Sequence, residues 1–163
     1  MSQTNVAHNI SPLAKQTPLV LLGTGTVGNA FLNRFACLQK NQSAKNLRLV
    51  QVSNTRHSIR DTLGLDPDLI SKDLANNTPS SLEQVARTLG YAGIVVDATA
   101  SEEVSGWHSR WLASGFKVVT ANKALLAQSS GELAQAAERA HVDLYSEAAV
   151  AGAIPVIRPL AQS

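Results

Sequence analysis

The chain lacks several features that would assign it to a specialised class of protein. Its 163 residues include one cysteine, Cys37, so no internal disulfide can form. Aromatic residues make up only 4% of the chain, and its formal net charge of +2 comes with no basic run. No apolar stretch approaches the roughly 20 residues needed to cross a bilayer. These absences argue against a disulfide-stabilised secreted domain, a nucleic-acid-binding protein and a membrane protein.

The composition is typical of one domain with a full apolar core. Hydrophobic residues account for 44% of the chain and charged residues for 16%, and alanine, valine and leucine dominate as in parallel α/β cores. We expect Cys37 to act as a small buried apolar residue, and its free thiol favours a reducing cytoplasm. Residues 1–16 lack the apolar core of a signal peptide and are expected to form a polar tail.

Residues 23–28, Gly-Thr-Gly-Thr-Val-Gly, are the most informative motif in the sequence. An apolar strand is predicted before them at residues 18–22, and an amphipathic helix after them from residue 26 to about residue 40. A second apolar strand is predicted at residues 47–52. The motif therefore occupies the first turn of a βαβ unit, which is where dinucleotide-binding folds carry it.

Each glycine of the motif has a physical reason in such a turn. Gly23 permits the tight turn, Gly25 lets the backbone approach a pyrophosphate, and Gly28 allows the helix to pack closely on the strand. Thr26 and Val27 open the helix, where free N–H groups and the positive end of the dipole would face phosphates. We interpret the motif as a nucleotide-binding loop, with a plain structural turn as the alternative.

The rest of the chain alternates predicted strands and helices after a turn-rich region at residues 54–80. The predicted helices are one that is capped by Ser80 or Ser81 and ended by Gly90, one at 102–113 that is ended by residues 114–115, and one at 131–140. The predicted strands between and after them lie at 93–97, 116–120 and 142–145. This order predicts an α/β fold with a doubly wound, Rossmann-type, mostly parallel sheet and helices on both faces.

Ligands of such sheets bind beyond the carboxyl ends of the strands. After the second strand, Asn54 and Arg56 occupy the tip where NAD-specific folds usually carry an acid, and both are expected to bind the coenzyme. A guanidinium there favours the 2′-phosphate of NADP, with a solvated surface arginine as the alternative. After the strand at 93–97, Thr99 could bond a phosphate, ribose or nicotinamide amide beside the small Ala100, or it could only form the turn before the next helix.

Two further segments carry candidate chemistry. Lys123 follows another central strand, where it could bind a substrate carboxylate or polarise a carbonyl oxygen, the alternative being a solvated loop lysine. Residues 146–155 contain one acid, Glu147, among small residues whose carbonyl groups could face a cation, although a plain hinge fits these residues too. Trp107 and Trp111 are predicted to share a packed helix face, and His108 is predicted to be exposed.

Taken together, these segments resemble the nucleotide-binding half of homoserine dehydrogenase. Residues 23–28, Asp-Ala-Thr at 97–99, Thr-Ala-Asn-Lys at 120–123 and residues 147–155 have that family's order and spacing. The likeness is closest to the dehydrogenase half of bifunctional aspartokinase–homoserine dehydrogenases. The resemblance implies interconversion of aspartate 4-semialdehyde and L-homoserine with NADP, or NAD, on the route to threonine and methionine.

The resemblance also implies roles for individual residues. Residues 23–28 would hold the pyrophosphate, Arg56 would lie near the adenosine ribose, and Thr99 and Lys123 would face the nicotinamide. Lys123 would also assist substrate binding or proton transfer. The implied ligands of a monovalent cation, mostly through main-chain oxygens, are Glu147, Val150, Gly152 and Ile154.

In that family the substrate-binding acids and the dimer sheet lie in a following domain. We therefore expect residues 17–155 to form the NAD(P)-binding domain and residues 156–163 to begin a helix leading to an absent domain. The chain alone is then expected to bind coenzyme with little turnover, and the full-length protein to form a homodimer. Two alternatives are a non-catalytic dinucleotide-binding sensor and a different amino-acid oxidoreductase.

Overall fold

The computed structural model describes residues 16–76, 78–122, 135 and 144–145. The strands are β1 (Thr17–Leu22), β2 (Leu47–Ser53), β3 (Ser58–Arg60), β4 (Ile94–Asp97), β5 (Lys117–Thr120) and β6 (Leu144–Tyr145). The helices are α1 (Thr26–Lys40), α2 (Ile70–Asp73), α3 (Glu83–Leu89), α4 (Glu102–Gly106) and α5 (His108–Ala113), with a 3-10 turn at Leu74–Asn76.

The strands form one sheet in the order β3-β2-β1-β4-β5-β6. All neighbouring strands are parallel except β3, which runs antiparallel to β2. The chain therefore moves outward from β1 in both directions, which confirms the predicted doubly wound sheet. The strand order reverses beside β1, so a crevice opens at the carboxyl ends of β1 and its two neighbours.

Both faces of the sheet are covered, which explains why the strands are continuous apolar runs rather than alternating ones. Successive residues of β1 point to opposite faces: Val20 packs with α3, α4 and α5, and Leu21 packs with α1 and α2. Both side chains are 0% exposed. The sheet therefore has an apolar layer on each face.

The third strand was not predicted from the sequence. Residues 58–60, Ser-Ile-Arg, contain one apolar side chain, which is too little for an alternating pattern. The strand instead forms through backbone pairing with β2, and the hydroxyl groups of Ser53 and Ser58 lie 2.8 Å apart.

Two helix starts differ from the predictions. Neither Ser80 nor Ser81 caps α3, because Leu82 holds the capping position without a side-chain hydrogen bond. The hydroxyl of Ser80 instead donates to Ser58 across a distance of 3.0 Å. Ser101 does cap α4, since its Oγ accepts from the backbone N–H of Val104 at 3.3 Å.

The helix predicted at 102–113 is two helices that meet at Trp107. The N–H of Trp107 donates to the carbonyl of Val104, three residues back, at 3.1 Å. A bond to the third residue back is of the 3-10 type, which tightens the turn relative to an α-helix. Gly90 and Gly115 end α3 and α5 with φ values of 74° and 85°, as predicted.

Cys37 is exposed on α1, so the prediction of a buried thiol is wrong. The buried face of this helix carries Gly28, Leu32, Phe35 and Ala36.

Within the described part of the chain, no helix has the length and hydropathy needed to cross a bilayer. The helix predicted at 131–140, apart from residue 135, and the segment from 146 onward lie outside the described residues.

Candidate functional site

A cleft of about 910 Å³ opens at the carboxyl ends of β1, β2 and β4. This volume is within the range of small-molecule sites in proteins. Its walls are the glycine loop, the tip of β2, the turn after β4 and the beginnings of α3 and α4. The predicted site residues that line it are Gly23, Gly25, Asn54, Arg56, Thr99 and Ala100.

The glycine loop owes its shape to two close approaches. Gly23 has a φ of +95°, and a Cβ there would lie 2.7 Å from the carbonyl oxygen of Ala98. A Cβ on Gly28 would lie 1.9 Å from the carbonyl oxygen of Gly23. Only glycine fits these two positions, so the first turn of α1 lies directly against the end of β1.

Gly25 differs from the other two glycines because nothing in the described structure lies within 4 Å of a Cβ built on it. It is the N-cap of α1, and glycine provides no side-chain oxygen for the first N–H groups of the helix. The first turn also contains no acidic residue. Thr26 and Val27, both exposed, therefore begin a helix whose amino end can receive an anion.

The tip of β2 is held in place by Asn54. Its Oδ1 accepts from the backbone N–H groups of Arg56 and His57, each at 2.8 Å. Its Nδ2 donates to the hydroxyl of Thr24 at 3.0 Å, which ties the tip to the glycine loop. Arg56 is exposed at this tip and lines the cleft. Asn54 therefore fixes the relative position of the two loops.

The carboxylate of Asp97, which ends β4, is a buried centre of hydrogen bonds. Its Oδ1 accepts from the N–H and the hydroxyl of Thr99, at 2.8 and 2.6 Å. Its Oδ2 accepts from Nε2 of His108 at 2.9 Å and from the side-chain amide of Asn122 at 3.2 Å. Because a buried carboxylate is costly without such donors, these bonds fix the loops after β4 and β5 relative to each other.

Thr99 has the turn-forming role in the structure. Its hydroxyl donates to Asp97 and accepts from the backbone N–H of Ser101 at 3.2 Å. The side-chain amide of Asn122 donates to the carbonyl of Ser101 at 2.9 Å and closes the same turn. The neighbouring Ala100 is exposed in the cleft.

His108 is 0% exposed, so the prediction that it projects to solvent is wrong. It lies four residues after Val104 and four before Leu112, both of which are buried on the same side. This helical spacing was present in the sequence and indicates the buried face. The ring is also tilted against Trp111, with the centroids 5.7 Å apart.

Two carboxylates flank the cleft near α3 and α4. Glu83 and Glu103 line it and are exposed. Hydrogen bonds from its own backbone N–H and from Ser81 lower the pKa of Glu83, with smaller contributions from Arg110 and Arg87.

The described residues contain no group of three His, Cys, Asp or Glu side chains able to hold a metal ion. The remaining predicted site residues, Lys123, Glu147, Val150, Gly152 and Ile154, lie outside the described part of the chain.

Comparison with known families matches residues 23–147 to the model "Homoserine dehydrogenase, NAD binding domain". The chain belongs to this family. The match begins at the first glycine of the loop and extends beyond β6, so it includes every residue that lines the cleft except Leu22.

Several curated relatives have the same name. Homoserine dehydrogenase of Lactococcus lactis is 33% identical over 149 residues, which cover 89% of this chain and 33% of that protein. The Mycobacterium leprae enzyme is 83% identical over 52 residues, or 32% of this chain and 12% of that protein. Bifunctional aspartokinase/homoserine dehydrogenase 2 of Escherichia coli is 32% identical over 132 residues, 74% of this chain and 16% of that protein. The chain thus spans a third or less of each of these relatives.

Solved structures have the same fold. Homoserine dehydrogenase of Thermoplasma acidophilum superposes with a TM-score of 0.71 at 27% identity, over 90% of this chain and 48% of that one. A hyperthermophilic archaeal homoserine dehydrogenase in complex with NADPH superposes with a TM-score of 0.73 at 19% identity, over 89% of this chain and 48% of that one.

Replacing Asp97 by alanine should lower the free energy of unfolding by about 3–5 kcal/mol, because His108 and Asn122 would lose a buried acceptor. Urea denaturation followed by circular dichroism measures the change. Asp68→Ala is the matched control, since it removes only the surface ion pair with Lys40 and should leave stability nearly unchanged. Equal stability of both variants would contradict the structural role of Asp97.

Proposed function

We propose that this chain is the coenzyme-binding domain of an enzyme that interconverts L-homoserine and aspartate 4-semialdehyde. In the oxidative direction the alcohol carbon would give a hydride to the nicotinamide ring, and the hydroxyl proton would leave to a base or to water. The proposal depends on the amino end of α1 at Gly25. No side chain among the described residues caps this helix end, and its free N–H groups are suited to bind a pyrophosphate.

The pyrophosphate is proposed to rest on the amides of Gly25, Thr26 and Val27. The positive end of a 15-residue helix stabilises negative charge there. The empty space around Gly25 allows phosphate oxygens to approach the main chain. Gly23 and Gly28 act indirectly by keeping this helix end at the floor of the cleft.

NADP is proposed as the preferred coenzyme over NAD. Arg56 is the one basic side chain among the described residues that line the cleft, and residues 53–56 contain no acid that would bind a ribose 2′-hydroxyl. The hyperthermophilic archaeal enzyme of the same fold was solved in complex with NADPH.

Lys123 is proposed to act at the nicotinamide end, in substrate binding or proton transfer. It is the next residue after Asn122, whose side chain is 1% exposed and bound to Asp97 and Ser101. Thr99 and Ala100 are proposed to form the adjoining wall.

Other properties are proposed on the family resemblance. They are a monovalent cation bound by Glu147, Val150, Gly152 and Ile154, and a homodimer of the full-length enzyme. A place in threonine and methionine synthesis, and a cytoplasmic location that would keep the exposed thiol of Cys37 reduced, follow from the same resemblance.

Replacing Gly25 by alanine should weaken NADPH binding by roughly ten-fold or more, because the methyl group would occupy the space of a phosphate oxygen. The fold should be retained, since Gly25 has extended backbone with φ −76° and a free volume for Cβ. Isothermal titration measures the affinity and thermal unfolding measures the stability. Gly106→Ala, also without neighbours at Cβ, is the control. Unchanged NADPH affinity in the Gly25 variant would argue against a pyrophosphate at this position.

Replacing Arg56 by alanine should weaken NADPH binding roughly 10- to 100-fold and leave NADH binding nearly unchanged, because only NADPH carries the 2′-phosphate. Arg34→Ala, an exposed arginine on α1 outside the cleft, controls for net charge. An equal loss for both coenzymes, or no loss, would assign Arg56 to another role.

The 163-residue chain is expected to bind NADPH while reducing aspartate 4-semialdehyde far more slowly than a full-length relative. Hydride transfer requires the aldehyde to be held against the nicotinamide, and loss of positioning groups removes most of the rate. Absorbance at the NADPH band measures turnover, with the Lactococcus lactis enzyme as positive control. An ordinary enzymatic rate from this chain would contradict the need for further residues.

A further inference from the structure

A buried carboxylate without a cationic partner lies behind the wall of the cleft at the end of β4. The side chain of Asp97 is 0% exposed. The groups that donate to it are the N–H and hydroxyl of Thr99, Nε2 of His108 and the side-chain amide of Asn122. No lysine or arginine among the described residues forms an ion pair with it. The net charge of this cluster therefore depends on where the proton between Asp97 and His108 lies.

The surroundings of the His108 ring determine the position of that proton. Nε2 lies 2.9 Å from Oδ2 of Asp97, whereas Nδ1 is buried and has no hydrogen-bond partner among the described residues. A proton on Nδ1 would be a buried donor without an acceptor, which is unfavourable. This argues against an imidazolium ring, and also against a neutral Asp97 carboxyl that donates to Nε2. His108 is therefore neutral with its proton on Nε2, and Asp97 keeps a negative charge that no cation balances.

Only one side chain separates this charge from the cleft. Oδ1 of Asp97 lies 2.6 Å from the hydroxyl of Thr99, and Thr99 lines the cleft. With a pyrophosphate at the glycine loop and the adenosine ribose at the tip of β2, the nicotinamide half of a dinucleotide runs toward β4 and β5. Salt screens a buried charge much less than an exposed one. The carboxylate is thus placed to act on the charge of the nicotinamide ring without touching it.

We propose that the charge of Asp97 makes the site favour the oxidised coenzyme over the reduced one. This inference rests on the proposed function. The ring of NADP⁺ carries one positive charge and that of NADPH is neutral, because the hydride that separates them brings two electrons and one proton. A fixed negative charge nearby therefore stabilises only the oxidised ring.

The proposal has a consequence for the direction of the reaction. In aldehyde reduction a hydride passes from C4 of the nicotinamide ring to the carbonyl carbon, and the carbonyl oxygen takes a proton from an acid or from water. The ring gains its positive charge in this step. A site that stabilises that charge makes bound NADPH a stronger hydride donor, so Asp97 favours formation of the alcohol.

Replacing Asp97 by asparagine removes the charge and keeps the size of the side chain. Isothermal titration of the 163-residue chain with NADP⁺ and with NADPH gives the ratio of the two dissociation constants. NADP⁺ should lose about ten-fold in affinity relative to NADPH, because only its ring is charged. Loosening of the loops alone would weaken both coenzymes alike and leave the ratio unchanged.

Two control variants separate charge from packing. His108→Gln keeps the carboxylate and a side-chain donor, so the ratio should stay within about three-fold of that of the original chain even where stability falls. Asp68→Asn removes an exposed carboxylate that pairs with Lys40 at the surface, and the ratio should again be unchanged. A shift of the ratio in His108→Gln as large as that in Asp97→Asn would overturn the role of the charge.

An exchange of side chains tests for rescue. Asn122 donates to Asp97 at 3.2 Å, so the double variant Asp97→Asn/Asn122→Asp moves the carboxylate to the neighbouring side of one hydrogen bond. The charge stays behind the same wall of the cleft. The ratio should therefore return toward that of the original chain, and a ratio equal to that of Asp97→Asn alone would contradict the proposal.

A coenzyme analogue tests the charge without any substitution, so the answer does not depend on the folding of a variant. Benzamide replaces nicotinamide in this NADP analogue, which keeps a flat aromatic amide and removes the positive charge of the ring. The original chain should bind NADP⁺ about ten-fold more tightly than the analogue. Equal affinity for the two would overturn the proposal.

The outcomes separate this role of Asp97 from the proposed function. If the original chain binds neither NADP⁺ nor NADPH, the proposed function fails and the role of Asp97 fails with it. If it binds both coenzymes and Asp97→Asn weakens them equally, the coenzyme site stands and the electrostatic role is overturned. A loss confined to NADP⁺, together with an unchanged ratio in His108→Gln, supports it.

Discussion

The close packing of α1 against the end of β1 determines where the glycine loop lies in the cleft. A side chain at Gly28 would lie 1.9 Å from the carbonyl oxygen of Gly23, so this approach exists only with glycine at residue 28. Gly23 in turn donates its N–H to the carbonyl of Ser53 at 2.8 Å, which joins the loop to β2. The amino end of α1 is thereby fixed at the point where the strand order reverses.

The second constraint is the buried carboxylate of Asp97. It connects β4 to α5 through His108 and to the end of β5 through Asn122. These contacts are made deep in the protein, where each bond is strong and each missing partner is costly. The phosphate side of the cleft is thus organised by glycine packing and the opposite side by a polar network, and the two meet at the carbonyl of Ala98 against Gly23.

The sequence allowed most of the parallel sheet to be predicted, because strands buried on both faces are apolar runs and the turns between them contain glycine. The features that could not be predicted depend on tertiary contacts. β3 exists through pairing with β2, and the break at Trp107 coincides with a backbone hydrogen bond from Trp107 to Val104. The burial of His108 differs from its prediction although the sequence contains the signal, since His108 shares the helical spacing of the buried Val104 and Leu112.

The candidate site could be located from the sequence, because its residues follow parallel strands, but the roles within it could not be fully assigned. Asn54 was expected to bind coenzyme, and the structure shows that its side chain ties two loops together. Asp97 was recognised only as part of a family motif. Trp107 was predicted to pack on a neighbouring helix, which it does, and its position in the cleft required the break between α4 and α5.

The central claim is that the amides opening α1 bind a diphosphate, and a titration of the ¹⁵N-labelled chain with NADPH followed by nuclear magnetic resonance tests it most directly. We predict that the backbone amide signals of Gly25, Thr26 and Val27 shift with a common saturation curve, and that inorganic pyrophosphate shifts the same signals. Saturable binding of NADPH that leaves these three amides unchanged would contradict the account.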